Sequence, residues 1–236
     1  MAKLLEEHLK YLRNEDFYNQ YKELLNTRLV YSNNIIEEDN GPIGKLYDNA
    51  NVSSLNDNFI AFNIIMNELN NEDDRPLTEE LIIKVANQIN KHAKYISDGY
   101  RTIGKGHKLD NLYPISNPED IHKDMEKLLN DYYETWKDLD IFEREARFNI
   151  EFLRIHPFED GNGRTSRLIL NFNMLKDGHA PILIPESLRK DYFYARDTNN
   201  VKWIKEMFEK LSERELLAIE KLIEDYKNDN EETIKL

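Results

Sequence analysis

Cysteine is absent from this 236-residue chain, which excludes disulfides and thiolate metal centres and removes any sign of an oxidising compartment. Glycine and proline are scarce, at 8 and 7 residues, and gather at a few turns. They leave long segments rich in Leu, Ile, Glu, Lys and Asn, a composition that favours helices. No apolar run approaches the roughly 18 residues of a membrane span. The opening Met-Ala-Lys-Leu-Leu-Glu-Glu-His carries acids where a secretory leader needs a basic start and an apolar run. These absences predict a cytoplasmic protein with no membrane partner. Basic stripes are missing too: 45 acidic side chains face 32 basic ones, for a net charge of -13, and no segment collects enough Lys or Arg to track a phosphate backbone. Nucleic acid is therefore not an expected partner, and any anionic ligand must be held by a local cluster of donors.

What is present is helical periodicity. With 40% hydrophobic residues the chain can bury the core of one domain with terminal additions. Ser54, with Asp57 three residues on, resembles a capping box ahead of Leu55, Phe59, Phe62, Ile65, Met66 and Leu69. Thr78 opens a second segment, Asn117-Pro118 a third with Pro at the first helical position, and Ile141 to Ile155 forms a fourth. Further helices are predicted from Leu168 to a C-cap at Gly178, from Ser187 to Arg196, from Trp203 to Leu211 and from Glu213 to Tyr226, with a frayed tail beyond. The interval from Ser97 to Pro114 breaks the pattern with Gly99, Gly104 and Gly106 and predicts a loop or short hairpin.

The most informative stretch is His156-Pro-Phe-Glu-Asp-Gly-Asn-Gly-Arg164, followed by Thr165, Ser166 and Arg167. Pro157 and the two glycines interrupt the helical pattern, which puts His156 at a helix C-terminus and starts a new helix near Asn162 or Gly163. The free N–H groups of such a start, together with the positive end of the helix dipole, suit a phosphate. Gly161 and Gly163 permit close backbone approach, Asn162 offers a side-chain donor, and Arg164 and Arg167 share a helix face from which both reach back over one anion. A triphosphate would use both. Asp160 beside a polyphosphate is placed to hold magnesium, and His156 is suited to take a proton from an attacking hydroxyl. Each residue alone has an ordinary structural explanation; their combination around one helix start points to in-line attack on a nucleotide phosphate. A P-loop is excluded because Phe158 stands where its first glycine belongs and Arg164 where its lysine belongs.

These residues resemble the Fic (filamentation induced by cAMP) family signature, His-x-Phe-x-(Asp or Glu)-Gly-Asn-Gly-Arg-x-x-Arg. His156, Phe158, Asp160, Gly161, Asn162, Gly163, Arg164 and Arg167 meet every specified position. Gly99-Tyr100-Arg101 is similar to the start of the family's flap, the edge that aligns a target polypeptide. The resemblance implies an all-α Fic-type bundle with a short β-hairpin flap next to the active site. It also implies transfer of AMP from ATP to a Ser, Thr or Tyr hydroxyl of a protein, with Mg2+ and loss of pyrophosphate. His156, Asn162 and Arg164 would then be catalytic. Gly161, Asn162, Gly163, Arg164 and Arg167 would bind ATP, and Asp160 the metal.

Many family members carry an inhibitory helix ending in a glutamate that pairs with the second motif arginine. The run Ser32-Asn33-Asn34-Ile35-Ile36-Glu37-Glu38 is similar, which makes Glu37 the expected inhibitory residue, with Glu38 competing. On this reading residues 1–52 form an N-terminal helical segment with the inhibitory helix at about 28–38. Residues 53–211 form the Fic core and 212–236 a C-terminal helix and tail. Homodimerisation and self-modification stay open, as do AMP removal, transfer of another nucleotide or phosphate group, and a non-catalytic nucleotide-binding regulator. The tyrosines Tyr192 and Tyr194 border the adenine or simply pack. The histidines His8, His92, His122 and His179 lack a partner pattern and default to structural or surface positions.

Overall fold

Helix starts fall where short polar side chains precede apolar periodicity. The computed structural model describes residues 4, 6–36, 49–69, 71–92, 99–104 and 115–233. In chain order the helices are α1 (Glu6–Leu12), α2 (Glu15–Ile35), α3 (Asn49–Glu68), α4 (Glu79–Ile89), α5 (Ile121–Asn130), α6 (Ile141–Ile155), α7 (Asn162–Lys176), α8 (Arg189–Asp197) and α9 (Val201–Thr233). The side chains of Asn14 and Thr78 each accept the N–H three residues on, that of Phe17 at 3.0 Å and that of Leu81 at 3.1 Å, and so cap α2 and α4. Pro118 opens a 3-10 turn that runs into α5, and α5 ends in a π turn, Asp131–Thr135.

The packed pair α6 and α7 takes part in both hydrophobic cores. On α6, Phe148 and Phe152 pack into a core shared with α2 to α5, while Phe142, Ala146 and Ile150 pack into a second core with α8 and α9. The helix α7 divides in the same way, with Leu168, Ile169 and Phe172 on one side and Leu170 and Met174 on the other. A helix buried all round must satisfy its polar residues internally. Asn149 donates to Ser166 Oγ at 2.5 Å, Tyr192 Oη to Asn149 Oδ1 at 2.8 Å, and Asn173 Nδ2 to Glu145 at 3.0 Å. The loop joining α6 to α7 is therefore strung between two fixed helices.

Two expectations change, and a third falls largely beyond the described residues. No strand occurs among the described residues, and most of the expected hairpin, at 105–114, lies outside them. Ser54 does not cap a helix: α3 begins at Asn49, so Ser54 lies within it and its hydroxyl is free for tertiary use. The two helices expected on either side of Ser212 are one continuous α9 that stays helical to Thr233. The buried Ser212 hydroxyl donates to the Ala180 carbonyl at 2.7 Å, which removes the reason to break there. No helix among the described residues is long and apolar enough to cross a membrane.

Glu145, fully buried on α6, accepts from Tyr132 Oη at 2.6 Å as well as from Asn173. Burial pushes its carboxyl up to about 7, against the lowering effect of those two bonds and of the Arg144 charge. Its folded value exceeds the ordinary 4.5, so between those two values the folded state keeps a proton that the unfolded chain releases. Stability thus falls as pH rises through that window. Glu145→Gln is expected to flatten this dependence. Melting temperatures at about pH 5 and about pH 8 check it, and a wild-type slope unchanged in the variant would remove Glu145 as its source.

Candidate functional site

α6 ends at His156, whose backbone is left-handed at φ 52 and ψ 59. That conformation costs a non-glycine residue about 1–2 kcal/mol, so its surroundings must impose it. Arg101 does much of this. Its side chain is buried, its Nε donates to the His156 carbonyl at 2.7 Å, and its other nitrogens reach the carbonyls of Ile103 at 3.2 Å, Ile155 at 3.4 Å and Ser116. Its N–H donates to the Pro157 carbonyl at 2.9 Å. The backbone around His156 is thus clamped while its side chain stays half-exposed. Phe158 anchors the loop in the core, with its ring centroid 5.4 Å from that of Tyr100 and 6.3 Å from that of Phe152.

Asn162 departs from the expected orientation. Its Oδ1 accepts the Phe158 N–H at 2.9 Å and its Nδ2 donates to the Phe158 carbonyl at 2.8 Å, so its amide staples the turn instead of reaching for a ligand. Gly161, at φ 70, is required twice over. A Cβ there would be strained, and it would meet Asn90 Oδ1 at 2.5 Å and Ile89 Cγ2 at 2.9 Å. Asn90 Nδ2 also holds the Asp160 carbonyl at 2.8 Å. Thr165 N bonds the Gly161 carbonyl at 2.8 Å, so the N–H groups of Asn162, Gly163 and Arg164 precede the first i−4 partner of α7. Those three groups and the helix dipole can receive an anion.

Asp160 presents a carboxylate that is 61% exposed, with Oδ2 3.7 Å from Arg164 Nη2 and Oδ1 accepting the Gly161 N–H at 2.6 Å. Among the described residues no group of three or more His, Asp or Glu side chains forms a protein-only metal cage. One exposed carboxylate beside a turn that can receive an anion fits Mg2+, which takes one or two carboxylates and completes its shell with phosphate oxygens and water.

The two arginines are engaged by different helices. Arg164 donates from Nη1 to Ser54 Oγ of α3 at 2.8 Å. Arg167 is buried and turned to the end of α2, donating from Nε to Asn33 Oδ1 at 2.6 Å and from Nη2 to the Asn33 carbonyl at 2.9 Å. Asn33 Nδ2 in turn donates to the Arg164 carbonyl at 3.1 Å and to Asn58 Oδ1 at 3.2 Å. Glu37 and Glu38 lie outside the described residues. Tyr192 is a packing residue, fully buried, and Tyr194 is 71% exposed. Neither Asn90 nor the Ser54 contact carries a sequence signal, because both depend on how α3 and α4 cross α7. Arg101 does carry one, a charged residue beside Gly99 and Tyr100, although it supports the motif backbone and does not reach outward.

The Fic/DOC family model matches residues 76–174. Protein adenylyltransferase fic-1 of Caenorhabditis elegans is 38% identical over 79 residues, which cover 34% of this chain and 15% of that protein. Protein adenylyltransferase Fic of Drosophila melanogaster is 43% identical over 49 residues, covering 21% of this chain and 10% of that protein. The match thus spans a small part of these curated relatives. Among solved structures, a Fic domain containing signaling protein from Bacteroides thetaiotaomicron superposes with a TM-score of 0.76 at 20% identity, covering 94% of this chain and 93% of its own. Fic-1 from C. elegans gives 0.69 at 19% identity, covering 87% of this chain and 64% of its own. At those identities the likeness establishes the fold, and the Fic/DOC family model matches the stretch that holds the His156 turn.

Proposed function

We propose that this protein is an adenylyltransferase that moves AMP from ATP to a Ser, Thr or Tyr hydroxyl of a protein. The observation that carries the reading is the α6–α7 turn, which joins a histidine with a clamped backbone to the N–H groups of Asn162, Gly163 and Arg164 at the start of α7. The hydroxyl oxygen bonds to the α-phosphorus, the bond from that phosphorus to the oxygen bridging the β-phosphate breaks, and pyrophosphate leaves. The hydroxyl proton passes to the His156 imidazole. The α7 N-terminus stabilises charge on the α-phosphate oxygens, and Arg164 neutralises the outer phosphates. Mg2+ held by Asp160 would supply further neutralisation of the polyphosphate. The relatives named protein adenylyltransferase support this chemistry over phosphate transfer.

The grip of α2 on Arg167 supports autoinhibition. Arg28 of α2 makes a two-pronged ion pair with buried Glu215 of α9 at 2.7 and 2.6 Å, Ser32 Oγ donates to the Ile184 carbonyl at 2.5 Å, and Arg189 Nε donates to the Ile36 carbonyl at 2.6 Å. A helix pinned at these points delivers Asn33 to the arginine that an outer phosphate needs, and Glu37 follows four residues later in the sequence. Releasing one restraint of about 1.4 kcal/mol corresponds to a tenfold change. Glu37→Gly is therefore expected to raise self-labelling by labelled ATP about tenfold. Equal labelling of variant and wild type would end the Glu37 assignment. Mass spectrometry after incubation with ATP and Mg2+, on the protein itself and on a lysate, tests the transfer; absence of any AMP adduct in the Glu37→Gly protein as well would refute it. Parallel incubations with UTP, GTP and CTP establish the donor.

A further inference from the structure

His92 stands just beyond α4 and has no part in the motif, yet its ring is bound to a carboxylate that is almost wholly buried. Its Nδ1 lies 2.9 and 3.0 Å from the two oxygens of Asp57, and its backbone N–H donates to the same carboxylate at 3.2 Å. Gln88 Nε2 approaches at 3.5 Å. The Asp57 side chain is 2% exposed, whereas that of His92 is 54% exposed. A buried carboxylate that takes Nδ1–H fixes the ring and joins α3 to the end of α4. Both of these elements bear on the phosphate pocket. One turn before Asp57, Ser54 receives Arg164 at 2.8 Å; two residues before His92, Asn90 holds the Asp160 carbonyl at 2.8 Å and abuts Gly161.

We propose that the Asp57–His92 pair is a positioning clasp for the nucleotide pocket, holding the support of Arg164 and the support of Asp160 at a fixed separation. The proposal rests on the reading of this pocket as an ATP site, and it assigns the clasp to the polyphosphate and metal end, where Arg164 and Asp160 lie. Those groups meet the triphosphate before and during transfer alike, so loosening them weakens binding more than it slows the chemical step. Among the described residues the exposed His92 ring makes its ion pair with Asp57.

The test uses three His92 variants. Asparagine places its Nδ2 where imidazole has Nδ1, glutamine mimics only the outer Nε2, and alanine keeps neither. His92→Ala and His92→Gln are expected to raise KM for ATP and the Mg2+ concentration needed for half-maximal rate by about tenfold, with kcat changed less than about threefold. His92→Asn is expected to restore both to near the wild-type values, and melting temperatures check that all variants are folded. Asp57→Asn, which weakens the acceptor, should behave like His92→Ala. The same series is read by equilibrium dialysis of ATP with Mg2+, which needs no turnover. Wild-type protein that binds ATP but transfers nothing would refute the transfer reading and leave the clasp tested by affinity alone. Wild-type affinity in all variants, rescue by glutamine in place of asparagine, or no binding of ATP by the wild type would overturn the clasp.

Discussion

Replacing His156 with alanine is expected to slow the proposed AMP transfer by ~10²–10⁴ while leaving the affinity for ATP within about twofold of wild type. The split follows from where the residue stands. The imidazole belongs to the residue that caps the end of α6, on the entering side of the turn, whereas the N–H groups proposed to receive the phosphate belong to the first residues of α7. The backbone of position 156 is held through its carbonyl by Arg101 and through its N–H by the Phe152 carbonyl at 3.0 Å, and alanine keeps both bonds. Alanine retains the left-handed strain that histidine also bears, so the fold should change little. Single-turnover rates of AMP transfer alongside ATP binding by calorimetry check the prediction. A variant that loses binding and transfer together would make His156 a pocket-forming residue and not the base.

The motif was legible because its logic is local. His156, Asp160 and Gly161 lie in the turn between two helices and Arg164 in the first turn of the second, so sequence spacing nearly fixes their placement, and the structure begins α7 at Asn162. Helix starts with local signals, Thr78 before α4 and Pro118 before α5, were legible for the same reason. Positions governed by tertiary partners were not. Ser54 with Asp57 matches a capping pattern, yet each is committed elsewhere, Ser54 to Arg164 and Asp57 to His92, and the helix passes through both. Ser212 separates the two helices expected at this point, and the buried acceptor that lets α9 run through it, the Ala180 carbonyl, is far away in the chain. Asn162 is a local case with two options for its side chain: an amide can bond both N–H and C=O of a residue four back, and Phe158 uses both. The meeting of Asn33 with Arg167 depends on α2 docking by Arg28 and Glu215, a contact between the two ends of the chain.

Arg101→Ala is expected to be the most damaging single substitution outside the motif, lowering stability by about 3–5 kcal/mol and abolishing transfer. The side chain is buried and its guanidinium serves the carbonyls of Ile103, Ser116, Ile155 and His156. An unsatisfied buried acceptor costs about 1–3 kcal/mol, and relaxation of the loop keeps the total below the sum of four. Burial lowers the pKa of Arg101, opposed by the nearby Glu159 charge, yet the guanidinium stays protonated because its ordinary value is so high. Arg101→Lys separates the two consequences. Lysine keeps the charge but has no planar fork, so it can satisfy some carbonyls without bracketing the backbone on both sides of His156. It should therefore recover most of the stability and little of the rate, with kcat still down by about tenfold or more while ATP affinity holds. Thermal melts and transfer rates on the same preparations decide the matter. A lysine variant with wild-type kcat would mean that His156 keeps its left-handed backbone without the fork, and the strain at that residue would then be held by Phe158 and the Asn162 staple alone.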